Sequence, residues 1–225
     1  MRHNSYIGER IEAIRATLPA GVTLIAVSKY HPAEAIEAAY SAGQRDFGEN
    51  KAQDLVAKQQ ALPTDIRWHF TGHLQSNKIK YIAPFVYMIH SIDSMQLLRE
   101  IDKHGAKNNR TIPCLLQIHI AREETKFGFT PEECLAMLAT EEWKELKNIH
   151  IRGLMCMASN TDDLQQVATE FKAVRVLFDE IRDRWFAGDE EFDTLSAGMS
   201  GDYLTAIEAG STCVRIGSSI FEDEI

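Results

Sequence analysis

A lysine at the end of an apolar run is the first residue of this chain that suggests chemistry. Lys29 follows the segment LIAV and Ser28. Partial removal of a lysine ammonium from water lowers its pKa, and only the free amine attacks a carbonyl carbon to form a Schiff base. A lysine that merely ends a strand and reaches back to water would give the same pattern. Both interpretations of Lys29 stay open at this point.

Two loops rich in glycine and serine suggest a phosphate site. They are SAGMSGD at 196–202 and GSS at 217–219. Glycines let backbone N–H groups approach phosphate oxygens, and serines add hydroxyl donors. Ser200 also fits the N-cap of a helix over DYLTAIEAG, and ordinary turns use the same residue types.

An arginine lies among apolar neighbours in the segment CVRIGSS. Arg215 is therefore expected to be buried, and a buried arginine needs a partner, either a carboxylate or a ligand. Taken together, the lysine, the loops and the arginine suggest pyridoxal 5′-phosphate. Its aldehyde would meet Lys29, its phosphate would meet the two loops, and Arg215 would face its pyridine nitrogen.

Other kinds of site find little support. His69 and His73 are four residues apart at a strand end, with no carboxylate at metal-ligand spacing, so we expect no metal site. The formal net charge of -9 argues against nucleic acid and anionic membranes as partners. No apolar stretch is long enough for a membrane span. The four cysteines are expected to be buried free thiols in a reducing compartment. We therefore expect a cytoplasmic protein.

Eight apolar runs alternate with amphipathic segments and must position these residues. The runs begin about 27 residues apart on average, which is the length of a strand, a helix and two short loops. Continuous apolar runs are typical of parallel strands covered on both faces. The eight candidate strands are 22–28, 45–49, 67–72, 88–93, 112–120, 149–157, 192–198 and 213–221.

This pattern predicts an α/β fold, a single (β/α)8 TIM barrel with an extra N-terminal helix over residues 4–17. The 225 residues fall between the lower bound of ~200 and the typical ~250 for this fold. We interpret 1–225 as one cofactor-binding domain. Active sites of such barrels lie at the carboxyl ends of the strands, where Lys29 and both loops are expected.

Eight motifs, in order over nearly the whole chain, resemble the YggS/PROSC family of pyridoxal phosphate homeostasis proteins. They are AVSKYHP, DFGENKAQDL, WHFTGHLQSNK, HSIDS, AREETKFGF, IRGLMCMA, LSAGMSGDYLTAIEAGST and VRIGSSIF. The resemblance implies the barrel of the alanine racemase N-terminal type, with pyridoxal 5′-phosphate carried as a Schiff base on the lysine of AVSK.

The resemblance also implies roles for the remaining site residues. Asn50 would lie beside the 3-hydroxyl of the cofactor, and Arg215 would face the ring nitrogen. The phosphate would be held by Ser200 and by the amides near Gly217 and Ser218. The expected cofactor-binding set is Lys29, Asn50, Met199, Ser200, Arg215, Gly217 and Ser218, with no catalytic residue and no metal.

Three positions depart from the family pattern. Ala197 replaces a usual methionine, which suggests a change of packing, and His119 stands where asparagine is frequent. Glu222 replaces the glycine of a closing FG segment. A carboxylate beside the strand 8 loop is expected to weaken cofactor binding.

The resemblance favours a protein that buffers or delivers the cofactor without robust catalysis, and we expect a monomer with apo-enzymes as recipients. A guanidinium donates hydrogen bonds but keeps its protons, so the ring nitrogen would stay unprotonated and the ring would be a weak electron sink. Racemases of this barrel also need a second domain, for which 225 residues leave no room. Two alternatives remain. One is an amino-acid racemase with Tyr30 or Tyr203 as second base, and the other is a Schiff-base lyase or sugar-phosphate enzyme without the cofactor.

Overall fold

The computed structural model describes residues 5–121 and 127–222. Within those ranges, parallel strands close into an eight-stranded barrel in which sequence neighbours pair and the last strand pairs with the first. The strands are β1 (Thr23–Val27), β2 (Asp46–Glu49), β3 (Arg67–Phe70), β4 (Met88–Ile92), β5 (Ile112–His119), β6 (Ile149–Met157), β7 (Thr194–Ser196) and β8 (Cys213–Ile216).

Helices alternate with the strands and cover the outside of the barrel. They are α1 (Ser5–Thr17), α2 (Ala33–Ser41), α3 (Ala52–Ala61), α4 (Ile79–Ile82), α5 (Met95–Lys107), α6 (Pro131–Ala139), α7 (Leu164–Trp185), α8 (Tyr203–Glu208) and α9 (Ser218–Phe221). Short 3-10 turns occupy Ser76–Lys78 and Glu142–Glu145. Among the described residues, none of these helices has the length and apolarity that crossing a membrane requires.

The predicted (β/α)8 barrel is confirmed, and so is the extra helix at the start. Of the predicted segment 4–17, residue 4 lies outside the described residues and the rest forms α1. Ile7, Ile11 and Ile14 recur on one face of α1 and are buried. Burial of each such side chain contributes roughly 1.5–3 kcal/mol, which fixes α1 against the barrel.

Two strands are shorter than predicted by four residues or more, while the others agree to within two residues. β7 covers only the middle of 192–198, because Gly198 has a φ of 97° that turns the chain away from the sheet. β8 ends at Ile216, and residues 218–221 of the predicted strand 213–221 form α9 instead. The apolar pair Ile220 and Phe221 suggested a strand, but the segment is helical and both side chains are buried.

Pairing between β1 and β8 brings the two ends of the chain together. Thr23 is in register with Cys213, and Ala26 is in register with Ile216. The residues that follow both strands therefore emerge side by side at the carboxyl end of the barrel. Lys29 and the loop beginning at Gly217 become neighbours in this way.

Candidate functional site

A cavity of about 530 Å³ opens at the carboxyl ends of the strands. All seven residues of the expected cofactor-binding set line it: Lys29, Asn50, Met199, Ser200, Arg215, Gly217 and Ser218. Glu222 lines the same cavity. Residues 122–126, part of the AREETKFGF motif, lie outside the described residues.

Lys29 lies in a turn rather than at the end of its strand. The strand ends at Val27, and His31 N donates to Ser28 O (3.1 Å) across the turn. Tyr30 occupies the turn with a φ of 68°, which is rare for a residue with a side chain. Lys29 is exposed, which agrees with the interpretation of a lysine that reaches back to water. Its amine is accessible to a ligand in the cavity.

A buried ion pair braces the residue before Lys29. Glu49 accepts a hydrogen bond from the Ser28 hydroxyl (2.6 Å) and pairs with the Lys58 ammonium, 2.5 Å from the same Oε1. Lys58 Nζ also donates to the Ser28 carbonyl oxygen, at 2.8 Å. Ser28 is thus held by its backbone and its side chain, which fixes the start of the turn. The sequence did not suggest this brace, because Lys58 lies on α3 and looked like a surface residue.

The side-chain oxygen of Asn50 is an unsatisfied hydrogen-bond acceptor among the described residues. Its Oδ1 is buried and has no hydrogen-bond partner within the described part of the chain. An unsatisfied buried polar atom of this kind costs about 1–3 kcal/mol, unless a ligand supplies a donor. A ligand hydroxyl at this wall of the cavity would satisfy it.

Backbone amides converge at the end of the cavity where the two glycine- and serine-rich loops meet. The amides of Gly217 and Ser219 both donate to Ser200 Oγ, over long distances of 3.3 and 3.4 Å. A Cβ on Gly217 would lie 3.1 Å from the Val27 carbonyl oxygen, so the close approach of β1 and β8 favours glycine there. These donors can bind an anionic oxygen.

Ser200 differs from its predicted role as a helix cap. The N-cap of α8 is Asp202, whose side chain accepts no cap hydrogen bond from the helix. Asp202 Oδ1 instead accepts from the Met199 amide (2.6 Å) and shapes the loop. The Ser200 hydroxyl is therefore left to face the amides of the strand 8 loop.

Arg215 is buried, as its apolar neighbours predicted, but its partners are neutral oxygens. Its Nη1 donates to the Ser196 carbonyl (2.8 Å) and hydroxyl (2.6 Å), and its Nη2 donates to the Cys156 carbonyl (2.8 Å). Burial lowers the pKa of the guanidinium from its ordinary value. A guanidinium has five N–H donors, so two remain for a ligand in the cavity that it lines.

A histidine that the sequence left without a role forms part of the cavity wall. His73 Nδ1 lies 3.3 Å from Asp93 Oδ2, and its ring stacks on Phe127 with 3.9 Å between ring centroids. Gln117 Nε2 holds the Phe127 carbonyl at 2.8 Å. The tyrosines proposed as a second base do not line the cavity: the Tyr203 hydroxyl bonds Thr17, and Tyr30 is 72% exposed.

The three family departures fall in different places. Ala197 is buried directly after β7, which agrees with a packing change. His119 ends β5 and is half-buried. Glu222 is exposed at the cavity, and the Arg10 guanidinium holds its backbone oxygen at 2.6 Å.

Sequence comparisons identify relatives over almost the full length of the chain. The profile of the alanine racemase N-terminal domain matches residues 4–224. A pyridoxal phosphate homeostasis protein of Aquifex aeolicus is 38% identical over 199 residues, 88% of this chain and 85% of the relative. The protein of that name from Synechocystis is 37% identical and covers 94% of this chain and 96% of its own.

Solved structures give the same result. PipY of Synechococcus elongatus without PLP has a TM-score of 0.89 and 36% identity, covering 96% of this chain and 99% of its own. PipY with PLP bound has a TM-score of 0.86. Alanine racemase of Streptomyces coelicolor, at 16% identity and TM-score 0.78, shares the fold; it covers 98% of this chain and 59% of its own.

Proposed function

This chain belongs to the family of pyridoxal phosphate homeostasis proteins, which share the alanine racemase N-terminal domain, and from that premise we propose that it binds pyridoxal 5′-phosphate to buffer or deliver the cofactor. One observation carries the proposal. A single cavity brings together an accessible amine at Lys29, converging amides beside Ser200, and a donor-only guanidinium at Arg215. Those three groups match the aldehyde, the phosphate and the ring nitrogen of one ligand.

The described residues fit this cofactor in further detail. The bound cofactor supplies an aldehyde for an amine and a ring that withdraws electrons. Ser200 and the amides of Gly217 and Ser219 would bind the phosphate, because these groups converge at one end of the cavity. Asn50 Oδ1 is buried without a partner and accepts from the ring hydroxyl. The Ser28 brace orients the turn that carries Lys29.

The site favours holding the cofactor over catalysis. Arg215 can only donate to the ring nitrogen, so that nitrogen stays unprotonated and the ring is a poor electron sink. Neither Tyr30 nor Tyr203 lines the cavity to act as a second base. We therefore propose that turnover of amino acids is slow or absent.

The central experiment is covalent trapping of the cofactor on Lys29. Purified protein is mixed with pyridoxal 5′-phosphate, its visible absorbance is recorded, and borohydride then makes the attachment permanent for peptide mass spectrometry. We expect yellow protein and a phosphopyridoxyl group on Lys29, with both lost in Lys29→Ala. Lys51→Ala is the matched control, because Lys51 is also an exposed lysine beside the Tyr30 ring. A colourless wild type that takes up no cofactor would favour the lyase or sugar-phosphate alternative.

The second candidate is an amino-acid racemase that uses the same cofactor. His73 paired with Asp93 gives the cavity wall a second acid–base group, which is the observation in its favour. Steady-state assays with L- and D-alanine and serine distinguish the two. Turnover at about 1 s⁻¹ or faster, lost in His73→Gln, would replace binding by catalysis as the function.

Delivery and buffering make different kinetic predictions. Loaded protein is mixed with an apo-enzyme that needs pyridoxal 5′-phosphate, and the return of that enzyme's activity is timed. Reactivation faster than release into buffer containing a cofactor trap supports direct delivery to a protein partner. Reactivation at the release rate supports buffering alone.

A further inference from the structure

The interior of the barrel holds a group of polar side chains, of which the proposed function uses only Arg215. Such interiors are normally filled by branched apolar side chains. Here five strands contribute to one group of buried polar residues, none more than 8% exposed: Asp46, His69, His90, Ser196 and Arg215. The group extends from the amino-terminal end of β2 to the cofactor cavity.

Hydrogen bonds connect these side chains without a break. Asp46 Oδ1 lies 3.0 Å from His69 Nε2, and His69 Nδ1 lies 2.9 Å from His90 Nε2. Next, His90 Nδ1 lies 3.0 Å from Ser196 Oγ. Arg215 Nη1 donates to the same Ser196 Oγ at 2.6 Å and completes the chain.

The two ends of this chain fix its direction. A guanidinium only donates and a carboxylate only accepts. Asp46 therefore receives the Nε2 hydrogen of His69, and a neutral His69 accepts at Nδ1. His90 then donates from Nε2 to His69 and accepts at Nδ1 the hydroxyl hydrogen of Ser196, whose Oγ receives the hydrogen bond from Arg215. Every bond points the same way, and such chains polarise and strengthen each member.

The surroundings oppose an extra proton on His90. Burial, with smaller contributions from His69 and Arg215, holds the pKa of His90 well below its ordinary value. Arg67 already neutralises Asp46, through Nε and Nη2 on the two carboxylate oxygens. A proton on the His90 ring would add a second buried positive charge near Arg215, and no carboxylate contacts that ring among the described residues.

We propose that Asp46, His69, His90 and Ser196 are positioning residues, which fix both histidines as Nε2–H tautomers and hold the Arg215 guanidinium in place for the cofactor ring. The second half of this inference rests on the proposed function. Ser196 is the link on which it depends, because its hydroxyl joins the histidines to the guanidinium. The phosphate end of the cavity does not take part in this series of hydrogen bonds.

The first test needs no cofactor and is read on the wild-type protein. Wild-type protein labelled with ¹⁵N-histidine is studied by NMR, whose long-range couplings identify the protonated ring nitrogen, and His69→Gln and His90→Asn assign the signals. We expect neutral rings protonated at Nε2 for both residues at neutral pH. An imidazolium at His69, or a His90 ring protonated at Nδ1, would overturn the proposed direction.

The second test separates positioning of the ring from binding of the phosphate. Ser196→Ala should weaken binding of both pyridoxal 5′-phosphate and pyridoxal by the same factor, about 5-fold for one lost hydrogen bond. Ser91→Ala is the control, since Ser91 is a buried serine beside His90 whose Oγ has no partner among the described residues. Equal affinities in the two variants would refute the positioning role. If the wild type binds neither compound, the proposed function fails while the tautomer result still stands.

Discussion

Gly72 lies against the backbone of Asn50 so closely that a Cβ on it would come within 2.3 Å of the Asn50 carbonyl oxygen. Gly72 follows β3 and Asn50 follows β2, so the contact sets the spacing of two neighbouring strand ends. The buried Asn50 amide depends on this spacing for its position. A side chain at 72 can only be accommodated by moving one of the two loops.

Gly72→Ala should therefore displace Asn50 and weaken cofactor binding. We expect a loss of about 1–3 kcal/mol in the free energy of unfolding, because the clash is with backbone. Urea unfolding and titration with pyridoxal 5′-phosphate measure the two effects. Gly201→Ala is the control: Gly201 lines the same cavity, but a Cβ there meets nothing within 4 Å. Similar behaviour of the two variants would contradict the proposed contact.

Ser200→Ala should act on the phosphate alone. Its hydroxyl faces the amides of Gly217 and Ser219, so its loss is expected to weaken pyridoxal 5′-phosphate binding by about 5- to 10-fold. Pyridoxal, which has no phosphate, should bind the variant and the wild type alike. Fluorescence titration with both compounds gives the comparison. A parallel loss for pyridoxal would place Ser200 elsewhere than at the phosphate.

Glu222→Gln should strengthen cofactor binding. Glu222 adds a negative charge to a cavity proposed to hold a phosphate, and it is exposed, so the gain is expected to be about 2- to 5-fold at low salt. The gain should shrink as salt is added, since exposed charges are screened. Glu208→Gln is the control, because Glu208 is exposed on α8 and does not line this cavity. No difference between these variants would remove Glu222 as a cause of weak binding.

Stability should fall as the solution is acidified below neutrality. The pKa of buried His90 lies well below that of an unfolded histidine, so between those two values the unfolded chain binds one more proton than the folded one. The stability present at neutral pH is then lost as pH falls below about 6.5, by up to about 1.4 kcal/mol per pH unit for this group. Urea unfolding from pH 7 to pH 5 measures the slope. His90→Asn should flatten it, and an unchanged slope would refute the assignment.

Strand ends were predictable because the length and spacing of apolar runs determine where a barrel strand stops. That is why the spacing placed Lys29 and the loop of Ser200 at one end of the barrel, whereas the role of Asn50 came only from the family resemblance. The exposure of Lys29 was not predictable, because it depends on a turn through Tyr30 in a conformation that tyrosine rarely adopts. For Ser200 the sequence left a helix cap and anion binding both open, because the two roles use the same residue type.

The hydrogen bonds from Asp46 to Arg215, and those that hold Ser28, could not be predicted from the sequence for a different reason. Asp46 and Ser196 are far apart in the chain, and they are joined only through residues on other strands. Which inward-facing side chains share a layer depends on the stagger of the strands around the barrel. The sequence of an apolar run with one histidine does not show whether that histidine has a hydrogen-bond partner on another strand.

The β1–β8 pairing makes the cavity a property of the whole fold. Ile25 of β1 is in register with Arg215 of β8, and the strands that meet there are the first and the last to be synthesised. A ligand that touches both Lys29 and the Gly217 loop bridges this seam, so its binding free energy adds to the free energy that keeps the barrel closed. Opening the seam would let the ligand go, and a chain cut between β1 and β8 would hold it only while the two pieces stay associated.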